Sequence, residues 1–184
     1  PGGQTITPTV PSTPPDFERG VLVAVDEVLR DQRLDTNSIR AVCHGTTVAT
    51  NAVLERRGAK TALVTTKGFR DVLELRRIRA PQLYDLFFVK PPPIIDRYLR
   101  FELGERVAAD GETLCTVAED ELEQIAQQLE QYGIESIAVC LLHSYAFPEH
   151  ERNVGEFFGK RLPDVPVSLS CDVVRQRREY ERTA

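Results

Sequence analysis

The stretch Ala41-Val-Cys-His-Gly-Thr-Thr-Val-Ala-Thr-Asn-Ala-Val-Leu54 contains a change of hydrophobic period. Ile39, Ala41, Val42 and Cys43 form a short apolar run of strand composition, whereas Val48, Ala52 and Val53 recur at helical spacing. His44-Gly45-Thr46-Thr47 is the polar turn between them. A strand-turn-helix unit of this kind aims the free N–H groups of the helix, and the positive end of its dipole, beyond the strand's carboxyl end. Such a place favours an anion. Gly45 permits close approach of a ligand to the backbone, and the hydroxyls of Thr46, Thr47 and Thr50 can cap the helix or donate to phosphate or carboxylate oxygens. An ordinary threonine N-cap beside a turn histidine has the same spacing, so both readings stay open at this level.

On either side of this unit, strand and helix patterns alternate. Gln4 to Val10 fits an edge strand limited by Pro8, and Pro11 to Pro15 is a breaker cluster. Asp16 then stands where it can cap a helix with Phe17, Val21, Val25, Val28 and Leu29 on one stripe, ending near residues 30–33. Gly58 is placed to end the central helix, and Thr61 to Thr66 is a buried-strand pattern. Gly68 to Leu75 suggests a short helix leading into Arg76, Arg77 and Arg79, and Pro81 to Pro93 a loop packed through aromatics. Tyr98 to Val107 alternates Leu99, Phe101 and Leu103 against Arg100 and Glu102, the signature of a half-buried strand. Asp110-Gly111 marks a hairpin before Thr113 to Val117. A helix over residues 118–132, begun by Thr113 or Thr116 and closed by Gly133, precedes the most apolar strand, residues 134–142. Pro148 opens a helix to Leu162, Val165 to Ser170 is a last strand, and Arg175 to Arg182 is a charged segment expected at the surface. The pattern predicts one α/β domain over residues 1–184, with a mixed β-sheet flanked by helices. Residues 39–43, 61–65 and 137–142 should be its adjacent or near-adjacent strands.

Composition narrows the function. The chain has 184 residues, 41% hydrophobic and 28% charged, which suits one sizeable core. Its 23 basic and 28 acidic residues leave a net charge of −5 without a basic stripe, so no nucleic-acid surface is expected. The apolar runs are too short to cross a bilayer and no signal-peptide pattern begins the chain, which points to the cytoplasm. Cys43, Cys115, Cys140 and Cys171 form no Cys-x-x-Cys pair and are expected to be reduced and buried. His143, His150 and Glu151 raise the question of a metal, but they include no tight histidine pair, and solvent or capping roles suit them better; no metal site is expected. Three clustered arginines could clamp an anion or form a solvated face. The chain has no methionine and begins abruptly at Pro1-Gly2-Gly3, as a piece of a longer protein would.

Several motifs, in order, carry a resemblance. His44-Gly-Thr-Thr-Val-Ala-Thr-Asn51, Gly58 to Asp71, Leu83-Tyr-Asp-Leu86, Glu105-Arg-Val107, His143-Ser-Tyr145, His150-Glu151 and Glu179-Tyr-Glu-Arg182 resemble the N-terminal domain of the hydantoinase A and 5-oxoprolinase family. The likeness runs from about Pro11 to the end. It implies a fold similar to half of an actin, heat-shock or sugar-kinase ATPase domain. It also implies ATP with Mg2+ in the full-length protein, which would phosphorylate a lactam, hydantoin or ketone oxygen before ring opening or carboxylation. A hydantoinase B-type partner chain or domain would accompany it. On this resemblance His44, Gly45, Thr46, Thr47, Thr50 and Asn51 become candidate substrate or phosphate contacts in the cleft. The family's Asp-x-Gly-Gly-Thr-like phosphate hairpin does not occur here, and Arg76, Ile78 and Ala80 depart from its usual pattern before an Arg-Pro step. A fragment lacking that hairpin and the C-terminal catalytic half should bind no nucleotide tightly and be inactive alone. The alternative is a non-catalytic module that binds a metabolite or docks a subunit.

Overall fold

The computed structural model describes residues 5–14, 16–43, 45–77, 85 and 87–184. Contacts divide the chain into two compact units, Pro1–Ala49 and Thr50–Ala184, where sequence patterning suggested one domain.

In the first unit α1 spans Phe17–Asp31. Thr13, not Asp16, secures its start: the Thr13 hydroxyl accepts the Gly20 N–H at 3.0 Å and donates to the Asp16 carbonyl at 2.6 Å, while the Asp16 side chain makes no cap bond. Residues 5–10 and Ile39 to Cys43 form no strand, which corrects both expectations. A strand exists only by pairing with a neighbour. This unit offers no partner strand among its described residues, and Val42 is left 73% exposed. The polar turn does lead into helix α2, Val48–Glu55, and the division between the units falls inside that helix.

The second unit begins with the rest of α2. Arg56, at φ 53°, takes the left-handed position expected of Gly58. Its guanidinium donates to the Pro92 and Pro93 carbonyls at 2.6 and 3.2 Å, which offsets the backbone cost. Then follow β1 (Thr61–Thr66), α3 (Val72–Leu75), β2 (Arg100–Leu103), β3 (Arg106–Val107), β4 (Thr113–Cys115), α4 (Glu119–Gln131), β5 (Ser136–Cys140), α5 (Glu149–Arg161), β6 (Val167–Leu169), α6 (Ser170–Val173) and α7 (Glu179–Thr183). The α/β class holds. Four strands form a sheet in the order β2-β1-β5-β6, parallel throughout, with Val64 opposite both Phe101 and Val139. Antiparallel pairing is confined to the separate β3–β4 hairpin. Strand β1 is buried along nearly its whole length, as a strand covered on both faces must be. On α4, Leu122, Ile125, Ala126 and Leu129 form the buried stripe. Val154 and Phe158 of α5 complete the core. No side chain caps α4, whose N-cap is Ala118; three acidic residues in its first turn answer the dipole instead.

Strand order fixes where a site can lie. From β1 the chain moves outward to β2, returns to β5 on β1's other side, and moves outward again to β6. The chain therefore leaves β1 and β5, which are neighbours, in opposite directions, and the carboxyl ends of these two strands mark the topological switch point where open α/β sheets place ligands. The hairpin closes one flank of this region. Gly111 turns it at φ 95°, and a Cβ there would stand 2.6 Å from the Phe147 ring of the β5–α5 connection. Only glycine fits that turn.

Candidate functional site

The residues predicted from the sequence fall in two groups. Gly45, Thr46 and Thr47 are exposed in irregular backbone just ahead of α2, and Thr50 and Asn51 are exposed in its first turns. A Cβ on Gly45 would meet nothing within 4 Å, so no packing in this chain demands glycine there. His44 lies outside the described residues, as does Arg79. Arg76 donates to the Pro91 carbonyl and Arg77 pairs with Glu181, so both described arginines fasten segments of the protein together. A groove of about 590 Å³ along α1, lined by Phe17, Val21, Val28 and Ile39 among others, is apolar and holds no titratable side chain.

A second group gathers at the switch point. Glu151, in the first turn of α5, is wholly buried. Its Oε1 accepts the Leu141 N–H at 2.9 Å and the Ser170 hydroxyl at 2.8 Å, while Oε2 accepts the Cys171 N–H at 2.7 Å. One carboxylate thus holds the exit of β5 to the start of α6. Arg182 of α7, expected at the surface, also has a fully buried side chain. Its guanidinium donates to the Leu141 carbonyl at 2.9 Å and to the Ser144 hydroxyl, and it lies 5.5 Å from the centre of the Tyr145 ring. Its Nε has no partner among the described residues. His143, at the tip of the turn, adopts φ 60°, and its Nδ1 is buried without a partner among the described residues.

A chain of hydrogen bonds crosses the crevice from the β1 side. The Leu142 N–H donates to the Thr66 hydroxyl oxygen at 2.9 Å, and that hydroxyl donates in turn to Glu105 Oε1. Glu105 is buried, and its Oε2 meets His150 Nδ1 at 2.8 Å. The His150 side chain keeps 13% of its exposure, and among the described residues Nε2 makes no hydrogen bond and is not sealed inside. The solvent or capping roles expected of His150 and Glu151 are therefore replaced by interior ones. Spacing could not reveal this, because Glu105 and His150 are 45 positions apart and meet only through the fold.

The cysteines divide. Cys43 and Cys115 are exposed, contrary to expectation, whereas Cys140 and Cys171 are buried; all four are free. Burial raises the Cys140 thiol, and burial together with the Glu151 carboxylate pushes Cys171 up to about 12. Neither can supply a thiolate nucleophile near neutral pH. Among the described residues no three His, Cys, Asp or Glu converge as metal ligands, and no helix is long and apolar enough to cross a membrane.

Residues 2–162 match the family described as the hydantoinase/oxoprolinase N-terminal region, and the chain belongs to that family. It is 35% identical to 5-oxoprolinase of Dictyostelium discoideum, over 76% of this chain and 13% of the relative. It is 29% identical to caprolactamase subunit alpha of Pseudomonas jessenii, over 95% of this chain and 26% of that subunit. The crystal structure of the ATP-dependent caprolactamase from that organism superposes with a TM-score of 0.79 over 94% of the chain. A nucleotide-free structure of acetone carboxylase, from work on ATP-dependent acetone carboxylation, gives 0.84 over 95% of this chain and 27% of its own, at 26% identity. The chain spans about a quarter, or less, of the length of these relatives.

Removing the Glu151 carboxylate should show how much the switch point depends on it. Glu151→Ala leaves two buried amides and a hydroxyl without their acceptor, so a loss of about 3 kcal/mol or more is expected, with a smaller loss for Glu151→Gln. Urea unfolding of both variants checks this; equal and small losses would show that the carboxylate is replaceable.

Proposed function

We propose that the chain is the N-terminal part of an ATP-dependent enzyme acting on cyclic amides. The match across residues 2–162 carries this reading. In the proposed scheme the lactam oxygen attacks the terminal phosphate of ATP, a phosphorylated imidate forms, and water opens the ring. A ketone oxygen would be activated in the same way before carboxylation. Such transfer relies on positioning and on stabilising charge more than on a protein nucleophile. The raised buried thiols are consistent with that. The described residues form no cage for Mg2+, so no step is assigned to a metal held by this chain. A partner chain is part of the proposal, because one relative is itself named as a subunit.

His44, Gly45, Thr46, Thr47, Thr50 and Asn51 keep their proposed role as contacts for phosphate or substrate oxygens. That α2 begins just after Gly45 to Thr47 supports this role, because backbone N–H groups at a helix start favour an anion.

Phosphate release by the intact protein, with its partner present, tests the reaction against a panel of 5-oxoproline, hydantoin, caprolactam and acetone. Release that depends on one of these compounds is expected, with none from residues 1–184 alone. Absence of any substrate-dependent release from the intact protein would overturn the proposal.

The same assay separates a contact from a cap at the loop. Thr46→Val and Thr47→Val each remove a hydroxyl and keep the shape. A bond to a charged partner in the transition state is worth roughly 1.5 to 3 kcal/mol, so turnover should fall between about tenfold and a hundredfold or more. A structural cap would instead lower the melting temperature by the equivalent of about 1 kcal/mol and leave turnover unchanged.

A further inference from the structure

We propose that His150, oriented by Glu105, is the proton carrier of the ring-opening step, an inference that rests on the cyclic-amide reading above. The Leu142 N–H, the Thr66 hydroxyl and Glu105 form a directional chain in which every donor has an acceptor. Glu105 ends that chain as a buried acceptor facing His150 Nδ1 at 2.8 Å. A carboxylate in this position holds the proton on Nδ1 and leaves the lone pair on Nε2. Nε2 is the nitrogen that the protein leaves open. Base and orienting carboxylate thus stand in the relation that nucleophilic and hydrolytic sites use, at the crevice where an open α/β sheet places its ligand.

Stability alone is a weak reason for this arrangement. Burying a carboxylate against an imidazole is often no better than filling the space with apolar side chains. The proposed reaction does need a proton carrier. Phosphoryl transfer to a lactam oxygen requires none, because that oxygen bears no proton and the phosphorylated imidate keeps the lactam N–H in its protonated form. Water addition requires one. As the water oxygen bonds to the imidate carbon, the C=N electron pair moves to nitrogen, one water proton passes to Nε2 and the other stays on the adduct as its hydroxyl. When the tetrahedral adduct collapses, the carbon–nitrogen bond breaks, the imidazolium gives its proton to the leaving nitrogen, and the hydroxyl proton leaves to solvent as the acyl C=O forms. The products are an amine and an acyl phosphate, which a second water converts to carboxylate and phosphate. Protons balance and His150 ends as it began.

His150→Asn is the informative variant, because the asparagine amide nitrogen can take the place of Nδ1 and keep the bond to Glu105 while Nε2 is lost. In the intact protein, with the lactam that the wild type turns over, ring opening should fall about 100-fold or more, the lower part of the usual range for general acid–base catalysis. Lactam-dependent exchange of oxygen-18 between the bridging and non-bridging positions of ATP should persist, and the melting temperature should stay near that of the wild type. Ring opening within threefold of the wild type would overturn the assignment, and so would loss of exchange and opening together in a folded protein. An unfolded variant would also count against it, since it would make the bond to Glu105 a structural pin that asparagine cannot replace. If the wild type opens no lactam, the cyclic-amide reading itself fails, and this inference falls with it.

Discussion

The carboxylate of Glu151 is the constraint on which the switch point depends. Removing a carboxylate from water costs several kcal/mol, and Glu151 is buried completely with no direct ion pair among the described residues. Two backbone amides and a serine hydroxyl satisfy it, and bonds to a charged acceptor are each worth roughly 1.5 to 3 kcal/mol. The consequence is geometric. Leu141 at the exit of β5 and Cys171 in α6 are held to one side chain on α5, so the turn at residues 141–147 cannot move independently of two helices and a strand. Arg182 adds α7 to the same knot through the Leu141 carbonyl and the Ser144 hydroxyl.

What was legible in the sequence follows from what each signal measures. Periodicity reports burial, so β1, β5 and the stripe on α4 stood out, while Asp110-Gly111 marked the β3–β4 hairpin and Pro148 the start of α5 by local backbone chemistry. Pairing is not local. Residues 39–43 have strand composition but find no ladder among the described residues of their unit, and residues 5–10 behave likewise. Arg100 shows the opposite error. Alternation placed it on the wet side of a half-buried strand, yet it is 1% exposed, with its guanidinium on the Ile95 carbonyl at 2.7 and 3.0 Å and on Glu74 at 2.9 Å. A charged residue that brings its own partners can occupy an apolar position, and the partners are invisible to a periodic pattern.

The site was less legible than the fold for the same reason. Glu105, Thr66, His150 and Leu142 come from four separate segments, and nothing in their spacing joins them. His143, His150 and Glu151 were noticed as residues, but only topology shows that they stand at one end of the sheet. The resemblance to the hydantoinase and oxoprolinase family came from motifs in order, and the match over residues 2–162 and the likeness to two solved structures agree with it. Those motifs and the buried network coincide at Glu105, His143 to Tyr145, His150, Glu151 and Arg182. Much of the resemblance is thus carried by residues that hold the carboxyl end of the sheet in place.

Amide hydrogen exchange at Leu141, Leu142 and Cys171 tests that central claim most directly. All three amides lie outside the strands and donate to side chains, Glu151 or Thr66. If the buried carboxylates fix the switch point, these amides should exchange as slowly as those of β1 and β5, through global opening only. Exchange at the rate of an ordinary surface turn would contradict the account.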